Sequence, residues 1–277
     1  MAPKEKAISP HTKKEYELNQ KNDPILVCDL LGFKNLVRER DIDELKLTML
    51  YIIEDLHFIN IRDFGLDLFK SNTQFYDKIS EFWPENYPLQ GSIVSDTILM
   101  YPIEDLEAGN LSYELSVLLL SIASTLFFQR VLESYHFLLR GSICYGEYCI
   151  IDNPRLIFGK AVIDAHELES IQNWGGILLS PAICEKLRDS HILRTIYTEY
   201  LDLPIKEREQ AAFESLCLDH ISFPHALNWP RLVPSVDWDP LYSRLDNIKN
   251  SDDKRSAKEK IDNTKKFHEL MISRIRS

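Results

Sequence analysis

One stretch, Ile25–Phe33, read ILVCDLLGF, limits what this chain can fold into. Ile25, Leu26, Val27 and Cys28 form an apolar run of strand type, Asp29 breaks it, and Gly32 stands just before a long helical pattern that opens at Phe33. A carboxylate at the end of a buried strand is costly unless something neutralises it. A glycine lets backbone come close to a ligand, and the start of a helix presents free N–H groups that favour anions. Together these can hold a cation and a phosphate. The same residues also suit a plain core strand whose aspartate caps the next helix.

The pattern that follows places this stretch in a larger order. Helix is expected from Phe33 to about Phe64, broken near Asp41, with Leu45, Met49, Ile52, Ile53 and Leu56 at helical spacing. Gly65–Leu89 reads as an insertion or lid-like connection. In Gln90–Tyr101 two short apolar runs flank Ser95-Asp96, as in a hairpin. Leu111–Glu133 reads as helix and Leu138–Ile151 as strand, with Gly141 and Gly146 marking a bend or a close approach. Leu156–Phe158 is a short strand leading into a helix over Ala161–Gln172. Gly176–Ser180 is another short strand, and Pro181–Arg188 a helix with proline in its first turn. Tyr197–Leu203 and Cys217–Ile221 suggest further strands. Asp252–Arg276 is a charged helix with one stripe of Phe267, Leu270, Met271 and Ile275. Strand, helix, hairpin, helix, strand, helix, strand is the order of a ferredoxin-like α+β core with additions. In it the first strand is expected beside the first strand of the hairpin, bringing Asp29 near Asp96. Two facing carboxylates share a proton or hold a divalent cation. Mg²⁺ suits the second case, because it takes one or two carboxylates and completes its shell with water and phosphate oxygens.

Composition removes several function classes. The chain has 277 residues and a formal net charge of −11, which argues against a general basic surface for nucleic acid or anionic lipid. Five cysteines, Cys28, Cys144, Cys149, Cys184 and Cys217, form no CxxC pair and read as small buried hydrophobes in a reducing, cytoplasmic compartment, not as a zinc site. Leu115–Phe128 is the most apolar helical run, but serines and a threonine interrupt it, and a membrane span needs about 20 apolar residues. It is expected to be a core helix. Ser142, Cys144 and Tyr145 have no convincing base partner for nucleophilic catalysis. His136 and His166 read as ordinary helix or loop residues. No P-loop pattern occurs.

Four blocks, in order, resemble the class III nucleotidyl cyclase catalytic domain. VCDLLGF (Val27–Phe33) is similar to that family's first metal motif and SDTILMYP (Ser95–Pro102) to its second. LRGSICYGE (Leu139–Glu147) resembles its RxGIxxG strand, and FGKAVIDAHELES (Phe158–Ser170) the segment carrying its transition-state residues. The resemblance implies that Asp29, the backbone of Leu30 and Asp96 hold Mg²⁺ or Mn²⁺. It further implies that Gly32 and Phe33 contact phosphate through the backbone, and that Arg140 is a catalytic candidate. It implies a homodimer with shared sites. The organisation expected is a flexible N-terminal arm over 1–22, a catalytic domain over 23–236 and a C-terminal helical extension over 237–277, whose Lys265 and Lys266 reach a phosphate only if the last helix folds over the site.

The departures from that family are specific. Its catalytic Asn falls on Ile163 and its Arg on Glu167, and neither side chain can do that work. Its purine-selecting positions fall near Ser92 and Leu156, where this chain has neither the adenylate nor the guanylate pair. GxAxxxAxxLE (Gly159–Glu169), RGSICYGE, NWP (Asn228–Pro230) and NTKKF (Asn263–Phe267) resemble the pyrimidine cyclases of bacterial Pycsar anti-phage systems. That resemblance implies UTP or CTP as substrate, cyclic UMP or cyclic CMP as product, and a downstream effector that senses the product. The rival readings are a catalytically dead cyclase-like domain that binds a nucleotide or a protein, and an ordinary adenylate or guanylate cyclase.

Overall fold

The computed structural model describes residues 5–8, 15–39, 41–58, 89–102, 113–151, 156–189, 225–227, 229–231 and 233–276. In chain order these form β1 (Glu5–Ile8), β2 (Glu15–Leu31), α1 (Phe33–Glu39), α2 (Ile42–Phe58), β3 (Leu89–Val94), β4 (Thr97–Pro102), α3 (Tyr113–Tyr135) and β5 (Leu138–Ile151). They continue with β6 (Leu156–Gly159), α4 (Lys160–Ser170), β7 (Gly176–Leu179), α5 (Pro181–Asp189), β8 (His225–Ala226), a 3-10 turn at Trp229–Arg231, α6 (Asp239–Ser243), a 3-10 turn at Arg244–Asn247, and α7 (Ser251–Arg276). The expected lid-like stretch and the strands expected within 195–221 lie outside the described residues, apart from Leu89.

The sheet runs β3-β4-β2-β5-β7-β8, with β1 paired to β2 and β6 to β5. Pairs are antiparallel except β5 with β7, which is parallel. This is the α+β, ferredoxin-like order expected from sequence, with one correction. β2 lies beside β4, the second strand of the hairpin, and β3 is the outer one. A strand–helix–strand unit leaves a gap that the hairpin's return strand fills, so the second strand is the inner one. A second correction concerns 1–22. Residues 15–22 are the first half of a 17-residue strand, and Glu5–Ile8 pairs back onto it through Glu5↔Leu18. Lys21 in this part of the strand is buried, with Asp23 3.8 Å away.

Alternation along β2 separates two cores. Leu26, Cys28 and Leu30 face one layer, where α3 packs with Leu119, Phe127, Phe128 and Val131 and α2 adds Ile52. Ile25 and Val27 face the other, with Leu99, Tyr101, Tyr148 and the α4 residues Ala161 and Ala165. Each fully buried aliphatic or aromatic side chain contributes about 1.5–3 kcal/mol. Ser116–Tyr135 is long and apolar enough to cross a membrane, but 83% of it is buried inside the protein. Its hydroxyls enter the core because they bond to the helix's own carbonyls, Ser121 to Val117 at 2.7 Å and Thr125 to Ser121 at 2.8 Å. Gly141 is a close approach: a Cβ there would lie 2.3 Å from the Cβ of Cys28.

The C-terminal helix is bound to this body at several points. Phe267 is fully buried and packs on Trp174 with ring centroids 4.2 Å apart. Thr264 Oγ1 accepts the Gly175 N–H at 2.7 Å, and Asn263 donates to the Asn173 carbonyl at 2.9 Å. Ahead of the helix, Arg244 donates to the carbonyls of Tyr135 and His136 and covers the Phe137 ring. The end of α3 is thereby tied to the segment that leads into α7.

Candidate active site

The pairing of β2 with both β4 and β5 builds the site. Asp29 stands opposite Thr97 on one side and opposite Arg140 on the other. Thr97 Oγ1 donates to Asp29 Oδ1 at 2.8 Å, and Arg140 Nη2 lies 3.9 Å from Asp29 Oδ2. The turn at Ser95-Asp96, with Ser95 at φ 62°, folds Asp96 back so that its carbonyl accepts the Leu30 N–H at 3.1 Å. Asp29 and Asp96 therefore stand at the same end of adjacent strands, both only half-buried. The chain then turns at Gly32, whose φ of +90° is one that other residues rarely adopt. The Leu30 and Phe33 side chains are buried, so backbone atoms are what these two residues can offer a ligand.

Arg140 is held from behind. Its Nε pairs with Glu169 Oε1, and its Nη1 donates to the Gln172 carbonyl at 3.1 Å. Gln172 in turn donates to the Gly141 carbonyl at 2.7 Å. Glu169 is buried, and His166 Nδ1 lies 3.3 Å from its second oxygen. Burial pushes the Glu169 carboxyl above its ordinary value, against the pull of the Arg140 guanidinium. The thiol of Cys28, behind Asp29, is pushed up by burial and further by the charges of Asp29 and Glu169. Lys260 of α7 faces the same group. Its ammonium is pushed below its ordinary value, first by desolvation and then by Arg140, while Glu169 and Asp29 act in the opposite direction.

The donor set fits a hard divalent cation. Asp29 and Asp96 offer carboxylate oxygens and Leu30 a carbonyl, and Mg²⁺ or Mn²⁺ takes such oxygens together with water and phosphate. Among the described residues no three His, Cys, Asp or Glu gather into a metal cluster. A site of two carboxylates that is completed by substrate does not need a third. Ser142 Oγ is occupied with the Ala165 carbonyl at 2.7 Å, and burial raises the Cys144 thiol to about 11. Neither is suited to nucleophilic attack.

Asp29, Leu30, Gly32, Asp96 and Arg140 come together at one end of the sheet. Ser92 lies half-buried in β3 opposite Leu99, and Leu156 opens β6 exposed and opposite Ile151, so these two sit on strands that are not paired with each other. Ile163 is 58% exposed and Glu167 is exposed, both on the outer side of α4. Three residues gathered about Asp29 and Arg140 were missed from sequence. Thr97 had a signal, being next to Asp96. Glu169 had one too: it continues the Ala161, Ala165 spacing of the buried face of α4, where a charge needs a partner. Lys260 had none, sitting in a run of charged residues; of Lys265 and Lys266, expected at a phosphate only if the last helix folds over the site, the first is half-buried and the second exposed.

No protein-family model matches the chain, and no curated protein matches it. Solved structures that resemble it are nucleotide cyclases. The adenylyl cyclase CyaB from P. aeruginosa is 16% identical over 62% of this chain and 83% of that one, with a TM-score of 0.41. The catalytic core of a rhodopsin-guanylyl cyclase with converted specificity, in complex with ATPalphaS, is 11% identical over 62% and 85%, at 0.42. An adenylate/guanylate cyclase/hydrolase from Silicibacter pomeroyi is 17% identical over 76% and 96%, at 0.38.

Proposed function

We propose that this chain is a nucleotidyl cyclase that converts UTP or CTP to the 3′,5′-cyclic monophosphate and pyrophosphate. The observation that carries the proposal is the convergence of Asp29 of β2, Arg140 of β5 and Asp96 of the β3–β4 turn beside Gly32, from the first three of the four motif blocks. Asp29, Asp96 and the Leu30 carbonyl are the residues to hold Mg²⁺ or Mn²⁺, which when bound lowers the pKa of the ribose 3′-hydroxyl and neutralises phosphate charge. Backbone amides at Gly32 and Phe33 bind phosphate oxygens. Arg140, fixed by Glu169 and the Gln172 carbonyl, presents a cation where negative charge grows as the 3′-oxygen attacks the α-phosphorus and pyrophosphate leaves. Thr97 fixes the rotamer of Asp29. The protein's share of the work is placement and charge.

Pyrimidine choice rests on Ser92 and Leu156. A hydroxyl can donate to or accept from a pyrimidine edge, and a bulky Leu in place of a charged or thiol group narrows the slot for a purine. In this reading the active unit is a homodimer in the cytoplasm. Its product is a signal for a cyclic-nucleotide-sensing effector in anti-phage defence, as the Pycsar-like blocks suggest.

One observation favours a different class. The outer face of α4 offers Ile163 and Glu167 where the family's Asn and Arg would stand, which suits a domain that binds nucleotide without turning it over. Incubating the full chain with equal ATP, GTP, UTP and CTP and Mn²⁺, then separating the products, decides. Cyclic UMP or cyclic CMP as main product supports the proposal. Cyclic AMP or cyclic GMP overturns the base assignment, and no cyclic product overturns turnover itself.

A further inference from the structure

A cavity of about 260 Å³ lies beside the site, between the β2–α1 turn and the C-terminal helices. Leu31, Gly32 and Lys34 line it from the β2–α1 side, Phe137 from the chain just before β5, and Lys260 from α7 together with Asp253, whose carboxylate lies 3.6 Å from Arg38. Arg244 also borders it, but its guanidinium is already committed to the carbonyls of Tyr135 and His136. Lys260 is different. It lines the cavity and is close enough to Asp29, Arg140 and Glu169 to feel each charge. Those carboxylates are engaged elsewhere, Asp29 with Thr97 and Arg140, and Glu169 with Arg140 and His166. Lys260 forms no ion pair among the described residues, although it is half-buried. A partly desolvated ammonium with no direct ion-pair partner among the described residues gains from an anion in the cavity.

We infer that Lys260 binds the β- and γ-phosphates of the substrate, and hence the pyrophosphate product, in the same chain that carries Asp29 and Asp96. The inference rests on the reading of the site as one for nucleoside triphosphates. It gives the C-terminal helix a part in the site, and it supplies in place a cation that Glu167 cannot. The anchors of α7 on Asn173, Trp174 and Gly175 set how far Lys260 reaches. Lysine suits the task as a compact point charge that meets a phosphate from several directions.

The test is calorimetric titration of the full chain with inorganic pyrophosphate in the presence of Mn²⁺, comparing wild type with Lys260→Gln, Lys260→Arg and Lys266→Gln. A hydrogen bond between charged partners predicts that Lys260→Gln weakens pyrophosphate binding about tenfold or more. Lys260→Arg should stay within about threefold of wild type, since it keeps the charge, and Lys266→Gln should bind as wild type does. Three results overturn the inference: wild type that binds no pyrophosphate, Lys260→Gln that binds it as well as wild type, or Lys260→Arg that loses as much as Lys260→Gln. The readout needs no turnover. A chain that binds pyrophosphate through Lys260 but makes no cyclic nucleotide would sink the cyclase reading and leave the phosphate site standing.

Discussion

Asp29 and Glu169 flank the same guanidinium and are treated in opposite ways. The Asp29 side chain is 20% exposed, holds one short hydrogen bond from Thr97, and keeps Arg140 at 3.9 Å. The Glu169 side chain is 1% exposed and contacts Arg140 and His166. A carboxylate that must accept and release a cation needs water and a free oxygen. One that must fix an arginine needs burial and a tight partner. The contrast separates a carboxylate left partly open to solvent from one closed into a buried ion pair, within one sheet end.

The largest effect should come from the open side. Asp29→Asn or Asp96→Asn keeps shape but loses the charge proposed to hold Mg²⁺, so turnover should fall at least about 100-fold while the thermal midpoint stays near wild type. Near wild-type cyclisation by either variant would break the contrast. Next comes the closed side. Glu169→Ala leaves Arg140 without its buried partner and should cost about 3–5 kcal/mol of stability by urea unfolding. If that variant were as stable as wild type, Glu169 would not be the structural half of the pair. A smaller effect is expected at the turn between strand and helix. Gly32→Ala meets no atom within 4 Å, so its cost is the positive φ alone, about 1–2 kcal/mol; a larger loss would mean the turn is more crowded than it is here.

The smallest effect tests whether α7 stays docked independently of the site. His268 is buried against Trp229 and Trp238, with Nε2 2.8 Å from the Val233 carbonyl. Burial holds its imidazole below the ordinary 6.5, despite that hydrogen bond and the charge of Glu269. A base with a depressed folded pKa binds fewer protons folded than unfolded. Its contribution is therefore complete above 6.5 and is lost as pH falls through 6.5 towards the folded value. Stability should decline over that range, and His268→Gln should flatten the decline. A profile that is identical for wild type and variant would mean another group governs the docking of α7.

Much of the core was legible because its signals are local. Leu138–Ile151 is strand over the expected range, α1 and α2 break beside Asp41, and Ser95-Asp96 is a hairpin turn. Alternation, breakers and turn residues act over a few positions, and the sequence displays them directly. Other features were not legible for an equally plain reason. Which hairpin strand lies inside depends on how the first helix crosses over the sheet. Glu5–Ile8 pairs with β2 over Glu15–Leu18, at the end where β5 stops opposite Leu18, and nothing local in a polar segment announces such a partner.

By itself the sequence determined the candidates for chemistry: a carboxylate after an apolar strand, a second one in a hairpin turn, an arginine in a long strand, and a glycine where the backbone must turn. It also determined what is absent from the family pattern, at Ile163 and Glu167. The tertiary structure decided which charges meet. Register placed Arg140 across from Asp29, packing of α4 buried Glu169 behind it, and the docking of α7 on Trp174 delivered Lys260. Ion pairs and hydrogen bonds need their partners within about 4 Å, so the residues that complete it could be named only once strands and helices distant in sequence were side by side.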